Sequence, residues 1–299
     1  APERRGSGRV GVRLDDGQVL SVSTAHVVPV AEVTEQLSEA KGVGVVARLP
    51  LRPGHLITRE RPVLLGRLGE GVDREQFKAL SSSQQEAVLS LADVHAGPEG
   101  HTLEGIMATN GLPRGRGPDE VVLCLLASRF NHSCRPNAEY LWLEAEQAEE
   151  VRAVQSIAPG EEVCVNYFGD AVRLPRELRQ QQLREGFRFH CRCQACLSAD
   201  PASDQRRSRL TQLSEDILAC QDRPEEGIRM AEEILDLMQR EGISAPRTTA
   251  QPCNDAFQLA LLLGDAEQVR EWAHLSFEAH RLGWGEDHPL TRQMRHYAQ

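Results

Sequence analysis

Three cysteines crowded into the stretch FHCRCQAC, namely Cys191, Cys193 and Cys196, are the strongest chemical signal in the sequence. Thiolates spaced as C-x-C-x-x-C can reach one metal ion together. In a chain of 299 residues with no recognisable secretory signal, such a cluster indicates metal binding before it indicates disulfides. The sequence therefore predicts a metal site near residue 193.

A second stretch, SRFNHSCRPNAEY at residues 128–140, sets Asn131, His132 and Cys134 close together directly after the apolar run VVLCLLA. An ordinary surface turn needs none of these residue types. The stretch is polar, is stiffened by a proline, and carries both a potential metal ligand and a potential cofactor contact. A single histidine of this kind is more often structural, so the stretch needs support from elsewhere in the chain.

Three further segments supply that support. The turn KGVG contains Gly42 and Gly44, the segment ATNG contains Asn110, and IAPGEEVCVNYFGD contains Tyr167. Taken singly each signal is weak, because a G-x-G turn is usually only a turn and a buried tyrosine usually packs in a core. The order and spacing of all the segments carry more information than any one of them.

The elements that would position these residues are mainly short strands. Residues 9–30 alternate apolar and polar side chains around the turn DDGQ, a pattern that predicts a β-hairpin. Residues 41–68 also read as short strands separated by turns. Between residues 121 and 170, the runs VVLCLLAS, AEYLWLEA, EVRAVQSI and EEVCVNYF are each strand-like, and the turn APGEE joins the last two.

Helical patterns account for most of the remaining chain. The segment DREQFKALSSSQQEAVLSLADVH suits one or two amphipathic helices, and the run Ser81–Ser83 followed by Glu86 can cap the second. Residues 172–186 suit another helix. From about residue 205 the pattern is wholly helical, with breaks at glycine and proline that indicate stacked helical hairpins. The helices predicted there are 205–220, 225–241, 252–263, 265–282 and 287–298.

The composition narrows the classes of function. A hydrophobic content of 40% is ordinary for a soluble globular protein, and 299 residues suffice for about two domains. No apolar run approaches the roughly 18 residues of a membrane span. The net charge of −10 argues against direct nucleic-acid binding, which relies on Lys and Arg. It is compatible with a basic substrate such as a lysine-rich peptide.

Read together, KGVG, ATNG, NHSCRPN, RAVQSIAPGEEVCVNYFGD and FHCRCQAC resemble the SET-domain protein lysine methyltransferases. The resemblance covers about residues 40–197. It is to the SET-and-MYND branch in particular, without the MYND finger, since residues 60–105 contain no cysteine. It implies an α+β fold with a SET-domain β-core, a helical insert, a pseudoknot, a four-cysteine zinc post-SET lobe and an all-helical C-terminal domain.

The resemblance also implies domain limits and site residues. Tyr167 would be the catalytic tyrosine, Phe187 would line the substrate channel beside it, and Phe189 would stack on the cofactor adenine. The implied domains are an N-terminal β-hairpin at 1–34, the SET domain at 35–170 with its insert at about 71–105, the post-SET lobe at 171–197 and tetratricopeptide-like helices at 198–299. The residues implied to bind S-adenosylmethionine are Lys41, Gly42, Val43, Asn110, Asn131, His132, Tyr167 and Phe189. The implied ligands of a structural zinc are Cys134, Cys191, Cys193 and Cys196.

The implied reaction is methyl transfer from S-adenosylmethionine to a lysine amine of a protein substrate. The rate of such an in-line displacement depends chiefly on how the two reactants are positioned. The protein must supply a neutral amine, although free lysine has a pKa of about 10.4. An aromatic, water-poor channel disfavours the ammonium, and so does a nearby sulfonium. Tyr167, Phe187 and Phe189 are the candidate channel aromatics.

Two other interpretations compete with this one. The first is a catalytically inactive SET and helical scaffold that binds protein partners. Val43, where relatives often carry a polar residue, favours it mildly, whereas the retained Tyr167, Asn131 and His132 argue against it. The second, a zinc-dependent hydrolase, is disfavoured because a zinc with four thiolate ligands has no vacant position. Phe187 stands where relatives often have a second tyrosine, which can change how many methyl groups are added.

The expected partner is a protein with a target lysine, histone or non-histone. We expect no direct nucleic-acid binding, no membrane association and a monomeric chain. The expected location is the cytoplasm, the nucleus or both.

Overall fold

The computed structural model describes residues 43–114, 119–198, 200–286 and 288–299, together with the backbone of four short strands that precede them. Strands and helices are both present, as predicted. The chain divides into two compact units, and each of them is built from several segments of sequence. The first unit comprises Ala1–Asp93, Gly97–Phe130 and Trp142–Val163, and the second comprises Val94–Ala96, Asn131–Leu141 and Cys164–Gln299. The predicted domain limits stay a prediction.

The strands are short and fall mostly in the first unit. Their bounds are β1 (Arg4–Arg5), β2 (Arg9–Arg13), β3 (Val19–Ser23), β4 (Ala31–Thr34), β5 (Gly44–Ala47), β6 (Leu56–Glu60), β7 (Leu64–Arg67), β8 (Leu112–Pro113), β9 (Glu120–Leu123), β10 (Asn131–His132), β11 (Ala138–Leu143), β12 (Ala148–Ala153) and β13 (Cys164–Val165). The predicted N-terminal hairpin is confirmed, because β2 pairs antiparallel with β3, and β1 adds to its edge. β4 pairs with β5, β12 pairs with β6, and β7, β9 and β8 form a sheet in that order.

The helices fall into two groups. The first three belong to the first unit, and the others make the C-terminal region helical, as predicted. Their bounds are α1 (Arg74–Lys78), α2 (Ser82–Leu89), α3 (Leu103–Asn110), α4 (Arg176–Phe187), α5 (Gln194–Leu197), α6 (Pro201–Asp216), α7 (Pro224–Arg240), α8 (Pro246–Leu263), α9 (Ala266–Trp284) and α10 (Pro289–Tyr297). Among the described residues, no helix is both long and apolar enough to cross a membrane.

The strand predicted over VVLCLLAS ends early, at Leu123. The carboxylate of Glu60 accepts hydrogen bonds from the backbone N–H groups of Leu125, at 2.7 Å, Leu126 and Ala127. Three consecutive N–H groups that point at one carboxylate cannot pair with a neighbouring strand. The prediction was therefore wrong beyond Leu123, because a distant side chain turns the backbone there.

The cap of α2 follows the prediction in part. Ser81 is the N-cap, and its Oγ accepts from the backbone N–H of Gln84 at 3.3 Å. The side chain of Gln84 in turn accepts from the backbone N–H of Ser81 at 3.1 Å. The reciprocal partner is thus Gln84 and not the predicted Glu86, because a capping box joins the N-cap to the third residue of the helix.

Helix α8 begins at Pro246, six residues before the predicted start, so that Pro252 lies inside it. A proline has no N–H, and it leaves the carbonyl four residues earlier without its helical partner. That carbonyl belongs to Thr248, and the buried guanidinium of Arg173 donates to it at 2.8 Å. The helix continues through its proline because a side chain from another segment replaces the lost donor.

Each unit has its own hydrophobic core. In the first unit, α2 and α3 pack on the sheet that contains β7 and β9. The core side chains there include Leu64, Val88, Leu91, Ile106 and Leu123. In the second unit, the helices from α6 to α10 surround another core, with Leu210, Leu213, Ile234, Phe257 and Trp272 among its buried residues.

Candidate active site in the second unit

Two short parallel strands bring the two most informative sequence motifs together. β10 and β13 pair in the register His132 to Val165. Asn137 fixes this pairing, because its backbone N–H donates to the carbonyl of Cys164 at 3.1 Å and its Oδ1 accepts from the N–H of Cys164 at 2.8 Å. The NHSC segment, residues 131–134, therefore runs beside the segment that leads into Tyr167.

Around Tyr167 the second unit holds an aromatic cluster, which consists of His132, Tyr167, Phe168, Phe187 and Phe189. The ring centroid of Tyr167 lies 5.3 Å from that of His132, 5.1 Å from that of Phe187 and 6.5 Å from that of Phe189, and the last pair is nearly perpendicular. The rings of Tyr167, Phe187 and Phe189 are only half-buried, so they retain surface that a ligand can cover. The structure thus brings together four residues that the sequence predicted for the site.

Phe168 is a member of this cluster that sequence reasoning missed. Its ring centroid lies 4.7 Å from that of His132, closer than any other ring of the cluster. Its place directly after Tyr167 in the motif NYF was the available signal. Alternation along a strand would have put it on the opposite side from Tyr167, but β13 ends at Val165, before both residues.

The side chain of His132 is buried and has contacts on both sides of its ring. The backbone N–H of Tyr167 donates to Nδ1 at 3.2 Å, and Nε2 lies 3.4 Å from Sγ of Cys134. One imidazole thus lies between the predicted catalytic tyrosine and a predicted metal ligand.

The end of α4 places Phe187 and Phe189 in the cluster. α4 ends at Phe187, and the next residue, Arg188, has a φ of 55° in the left-handed region. This conformation is uncommon for a residue with a side chain and terminates the helix. The chain therefore turns sharply between Phe187 and Phe189, and both rings remain within reach of Tyr167.

Four buried sulfur atoms meet beside the aromatic cluster, in a cysteine cluster formed by Cys134, Cys191, Cys193 and Cys196. All four Sγ atoms lie within 4.8 Å of one another, and those of Cys134 and Cys196 are 3.6 Å apart. A tetrahedral zinc with Zn–S bonds of about 2.3 Å would hold its sulfurs about 3.8 Å apart. The cysteine cluster is therefore compatible with a structural zinc.

The pKa values of the clustered thiols are shifted in opposite directions. Hydrogen bonds from Cys134, Cys191 and Cys196 hold the pKa of Cys193 far below its ordinary value. The hydrogen bond from Cys134 contributes most to lowering the pKa of Cys196, to about 7. Hydrogen bonds to the three other sulfurs raise the pKa of Cys134 far above its ordinary value. Because metals bind thiolates, a cluster that already favours some thiolates near neutral pH is prepared for a cation.

Two neighbouring residues of α4 hold the cysteine cluster to that helix. Gln180 donates from Nε2 to the carbonyl of Cys191 at 2.8 Å and accepts from its N–H at 3.0 Å. Nη2 of the buried Arg179 lies 4.0 Å from Sγ of Cys196. Burial lowers the pKa of Arg179, but the sulfur of Cys134 and then that of Cys196 outweigh it and raise the pKa above its ordinary value. Neither residue was predicted, although the excess of Arg and Gln in this segment was visible.

An ion-pair cluster centred on the fully buried Glu241 supports the same region. Its carboxylate accepts from Nε of Arg207 at 2.8 Å, from Nε of Arg206 at 2.6 Å and from Oγ of Ser203 at 2.5 Å. Burial raises the pKa of Glu241, but these donors outweigh it and hold the pKa below its ordinary value. Arg207 also donates to the carbonyl of Cys134 at 3.4 Å, which connects the helices to the NHSC segment.

Four further residues were predicted to bind the cofactor. Lys41 and Gly42 are outside the described residues. Val43 and Asn110 belong to the first unit, where Val43 is exposed. Both side-chain N–H groups of Asn110 are engaged, because Nδ2 donates to the carbonyls of Ala92 and Ile106, each at 2.7 Å. The Asn110 side chain could therefore offer a ligand only its carbonyl oxygen.

Comparison with known proteins gives a consistent family. A family model described as the SET domain matches residues 42–168. The histone-lysine N-methyltransferase set5 of Schizosaccharomyces pombe is 27% identical over 266 residues, which cover 87% of this chain and 81% of that protein. The protein-lysine N-trimethyltransferase SMYD5 of Danio rerio is 44% identical over 77 residues, or 25% of this chain and 19% of that protein.

A further relative is the human N-lysine methyltransferase SMYD2, which is 38% identical over 86 residues, or 29% of this chain. The matches to SMYD5 and SMYD2 span less than a fifth of those two proteins. The similarity to them is thus confined to one segment, whereas the similarity to set5 extends over most of both chains. Residues 42–168 therefore match the SET domain, and the resemblance of this chain to the SET-domain lysine methyltransferases of the SMYD-like branch is confirmed.

Proposed function

We propose that this protein transfers a methyl group from S-adenosylmethionine to the side-chain amine of a lysine in a protein substrate. The observation that carries the proposal is the aromatic cluster around Tyr167, which lies directly beside the cysteine cluster in a chain with a SET domain. The named relatives are lysine methyltransferases, which supports the same reaction.

Tyr167 acts on the lysine amine in this proposal. Its ring is flanked by Phe187 and Phe189, and their apolar faces exclude water from the position that the amine would occupy. A water-poor position disfavours the ammonium form and lowers the pKa of the amine towards the operating pH. The phenol can then orient the neutral amine by a hydrogen bond, which fixes its lone pair for an in-line displacement.

The residues of the second unit fit the flat, cationic cofactor. Phe189 offers a half-buried ring on which an adenine can stack, and Asn131 and His132 offer the backbone of β10. When bound, S-adenosylmethionine supplies an activated methyl group on a sulfonium whose leaving group is a neutral thioether. The chain needs only to bind, orient and dehydrate its two substrates.

The cysteine cluster holds the wall of this site in place. A zinc bound by Cys134 and the three cysteines that follow α4 would tie the NHSC segment to the turn that carries Phe189. With four thiolates the metal has no open position, so its contribution is structural. Both histone and non-histone lysines are candidate targets, since one relative is named a histone-lysine methyltransferase and another a protein-lysine methyltransferase.

The test uses the full, zinc-loaded chain and two matched tyrosine variants. Tyr167→Phe should reduce transfer of labelled methyl groups to a lysine-peptide library by about 100-fold or more, in the range usual for a lost acid–base or positioning group. Binding of S-adenosylmethionine, measured by calorimetry, should change little. Tyr297→Phe makes the same chemical change in α10, and both quantities should stay at the unsubstituted level.

Other results would count against the proposal. Equal loss of cofactor binding and turnover in Tyr167→Phe would contradict the role given to the hydroxyl. A folded, zinc-loaded chain that binds no S-adenosylmethionine would instead support the scaffold interpretation, in which the helical region binds protein partners without methyl transfer.

A further inference from the structure

The His132 side chain touches both the cysteine cluster and the backbone of Tyr167. We propose that His132 is a positioning residue that couples the occupied zinc site to the placement of Tyr167 through its two ring nitrogens. This inference deepens the proposed function, because it assigns a route by which the structural metal would act on the reacting tyrosine. It concerns the imidazole itself and is separate from any contact that the backbone of β10 makes with the cofactor.

The first step is the assignment of the ring proton. The partner of Nδ1 is the backbone N–H of Tyr167, at 3.2 Å, and a backbone N–H can only donate. Nδ1 must therefore be the acceptor, and the N–H of the neutral ring must lie on Nε2. Nε2 is the atom that faces Sγ of Cys134, at 3.4 Å. The geometry thus directs an N–H donor at a predicted metal ligand.

The second step concerns the sulfur. A zinc-bound thiolate carries negative charge and accepts hydrogen bonds, and a donor at 3.4 Å from sulfur is within bonding distance. Such a bond withdraws charge from the thiolate and fixes the direction of its lone pairs. Partners of this kind commonly change metal affinity or activity by about 10- to 100-fold when they are removed. Binding of zinc at Cys134 would therefore orient the His132 ring.

The third step leads to the tyrosine. An oriented ring presents Nδ1 to the N–H of Tyr167, the second residue after β13 ends, where the strand ladder no longer holds the backbone. The two rings also lie against each other, with centroids 5.3 Å apart. When the zinc is lost, Nε2 loses the thiolate that orients the ring, and the hydrogen bond that Nδ1 accepts from Tyr167 is weakened.

Two substitutions of His132 test the roles of its two ring nitrogens separately. The amide of Gln lies near the position of Nε2, so His132→Gln keeps a donor to Cys134 but loses the acceptor for Tyr167. The shorter Asn puts its Oδ1 near Nδ1, so His132→Asn keeps the acceptor and loses the donor. We expect zinc release to a chelator to be about tenfold faster in His132→Asn and within about twofold of the unsubstituted chain in His132→Gln.

Amide hydrogen exchange at Tyr167 should show the reverse pattern. Exchange should be about three- to tenfold faster in His132→Gln, as expected for one lost hydrogen bond, and near the unsubstituted rate in zinc-loaded His132→Asn. His280 provides the matched control, because it is equally buried and bonds to Ser276 within α9 of the same unit. His280→Gln and His280→Asn should change neither zinc release nor exchange at Tyr167.

Equal effects of the two His132 variants on both measurements would overturn the proposal, since a ring that merely fills space would give that result. The absence of any effect would overturn it as well. A measurement on the unsubstituted chain covers the case in which the variants do not fold. Nitrogen NMR of isotope-labelled, cadmium-loaded protein reports the tautomer directly, and we expect the proton on Nε2. A proton on Nδ1 would contradict the assignment.

None of these measurements requires methyl transfer. If the two His132 variants affect zinc release and amide exchange in the opposite ways expected, but the chain binds no S-adenosylmethionine, the proposed function is refuted and the coupling stands. A chain that methylates lysine but shows equal effects of the two variants would refute the coupling alone.

Discussion

Replacement of Arg207 by methionine should destabilise the second unit strongly. Arg207 is fully buried, and its Nε donates to the fully buried carboxylate of Glu241 at 2.8 Å. Its other nitrogens donate to the carbonyls of Val172 and Cys134. Methionine fills a similar volume without a charge or a donor, so the variant removes one partner of a buried ion pair and leaves the other in place.

The size of the effect follows from the partners that remain. Removal of one member of a buried ion pair typically costs about 3–5 kcal/mol, because the other charge stays buried without compensation. Glu241 keeps the guanidinium of Arg206 at 2.6 Å, that of Arg135 at 3.7 Å and the hydroxyl of Ser203. We therefore expect the lower end of that range, about 3 kcal/mol. Whole domains are stable by only about 5–15 kcal/mol, so this loss is large.

Urea unfolding of the zinc-loaded chain, followed by circular dichroism, measures this loss as a change in midpoint at constant slope. The matched control is Arg209→Met, two residues along the same helix. Arg209 pairs with Glu233 at 2.8 Å, but both side chains are more than 40% exposed. Such surface pairs contribute about 0.2–1 kcal/mol, so the control should lose no more than that.

The reasoning would be refuted if Arg207→Met were no more than about 1 kcal/mol less stable than Arg209→Met. That result would mean that Arg206, Arg135 and Ser203 satisfy the carboxylate of Glu241 and that the pair with Arg207 contributes no more than a surface ion pair. Zinc content should be measured in each variant, because Arg207 also contacts the carbonyl of Cys134, and a loss of metal would add to the change in stability.

Two further predictions concern the metal and the half-buried carboxyl of Glu139. Cys193→Ser should release the zinc and lower Tm by about 10 °C or more, since structural zinc supplies folding energy; unchanged metal content and Tm would exclude the cysteine cluster as the site. Burial raises the pKa of Glu139 to about 7, although the nearby Arg247 opposes the shift. Because the folded chain then holds a proton that the unfolded chain releases above about pH 4.5, stability should fall as pH rises from about 4.5 to 7. Glu139→Gln should raise Tm above pH 7 and leave it unchanged below pH 4.5, and a lower Tm at pH 8 would contradict this sign.

Much of the site was predictable because its residue types have few other uses. Cysteines in a C-x-C-x-x-C pattern have a strong preference for a metal, and the structure gathers them with Cys134, which the family resemblance had added. Likewise Tyr167, Phe187 and Phe189 meet in one aromatic cluster. The family resemblance, and not local chemistry alone, predicted these groupings, because it relates motifs that are far apart in the chain.

The features that sequence reasoning missed depend on contacts between distant residues. The strand after Leu123 is interrupted by Glu60, more than sixty positions earlier in the chain, and helix α8 passes through Pro252 because Arg173 bonds to Thr248 in its first turn. The buried partners of Glu241 also come from another helix. No periodicity within a segment reveals a partner that folds against it from elsewhere, so predicted boundaries fail at these places.

Because each unit is built from several segments of sequence, the parts of the site emerge from the ribosome at different times. Cys134 emerges from the ribosome 62 residues before Cys196. At about 5–20 residues per second, that separation lasts about 3–12 s, and β13 and the other three sulfurs emerge only in the course of it. The four sulfurs can therefore assemble only after Cys196 has emerged. Any message that ends before Cys196 yields a chain that lacks at least one of the four.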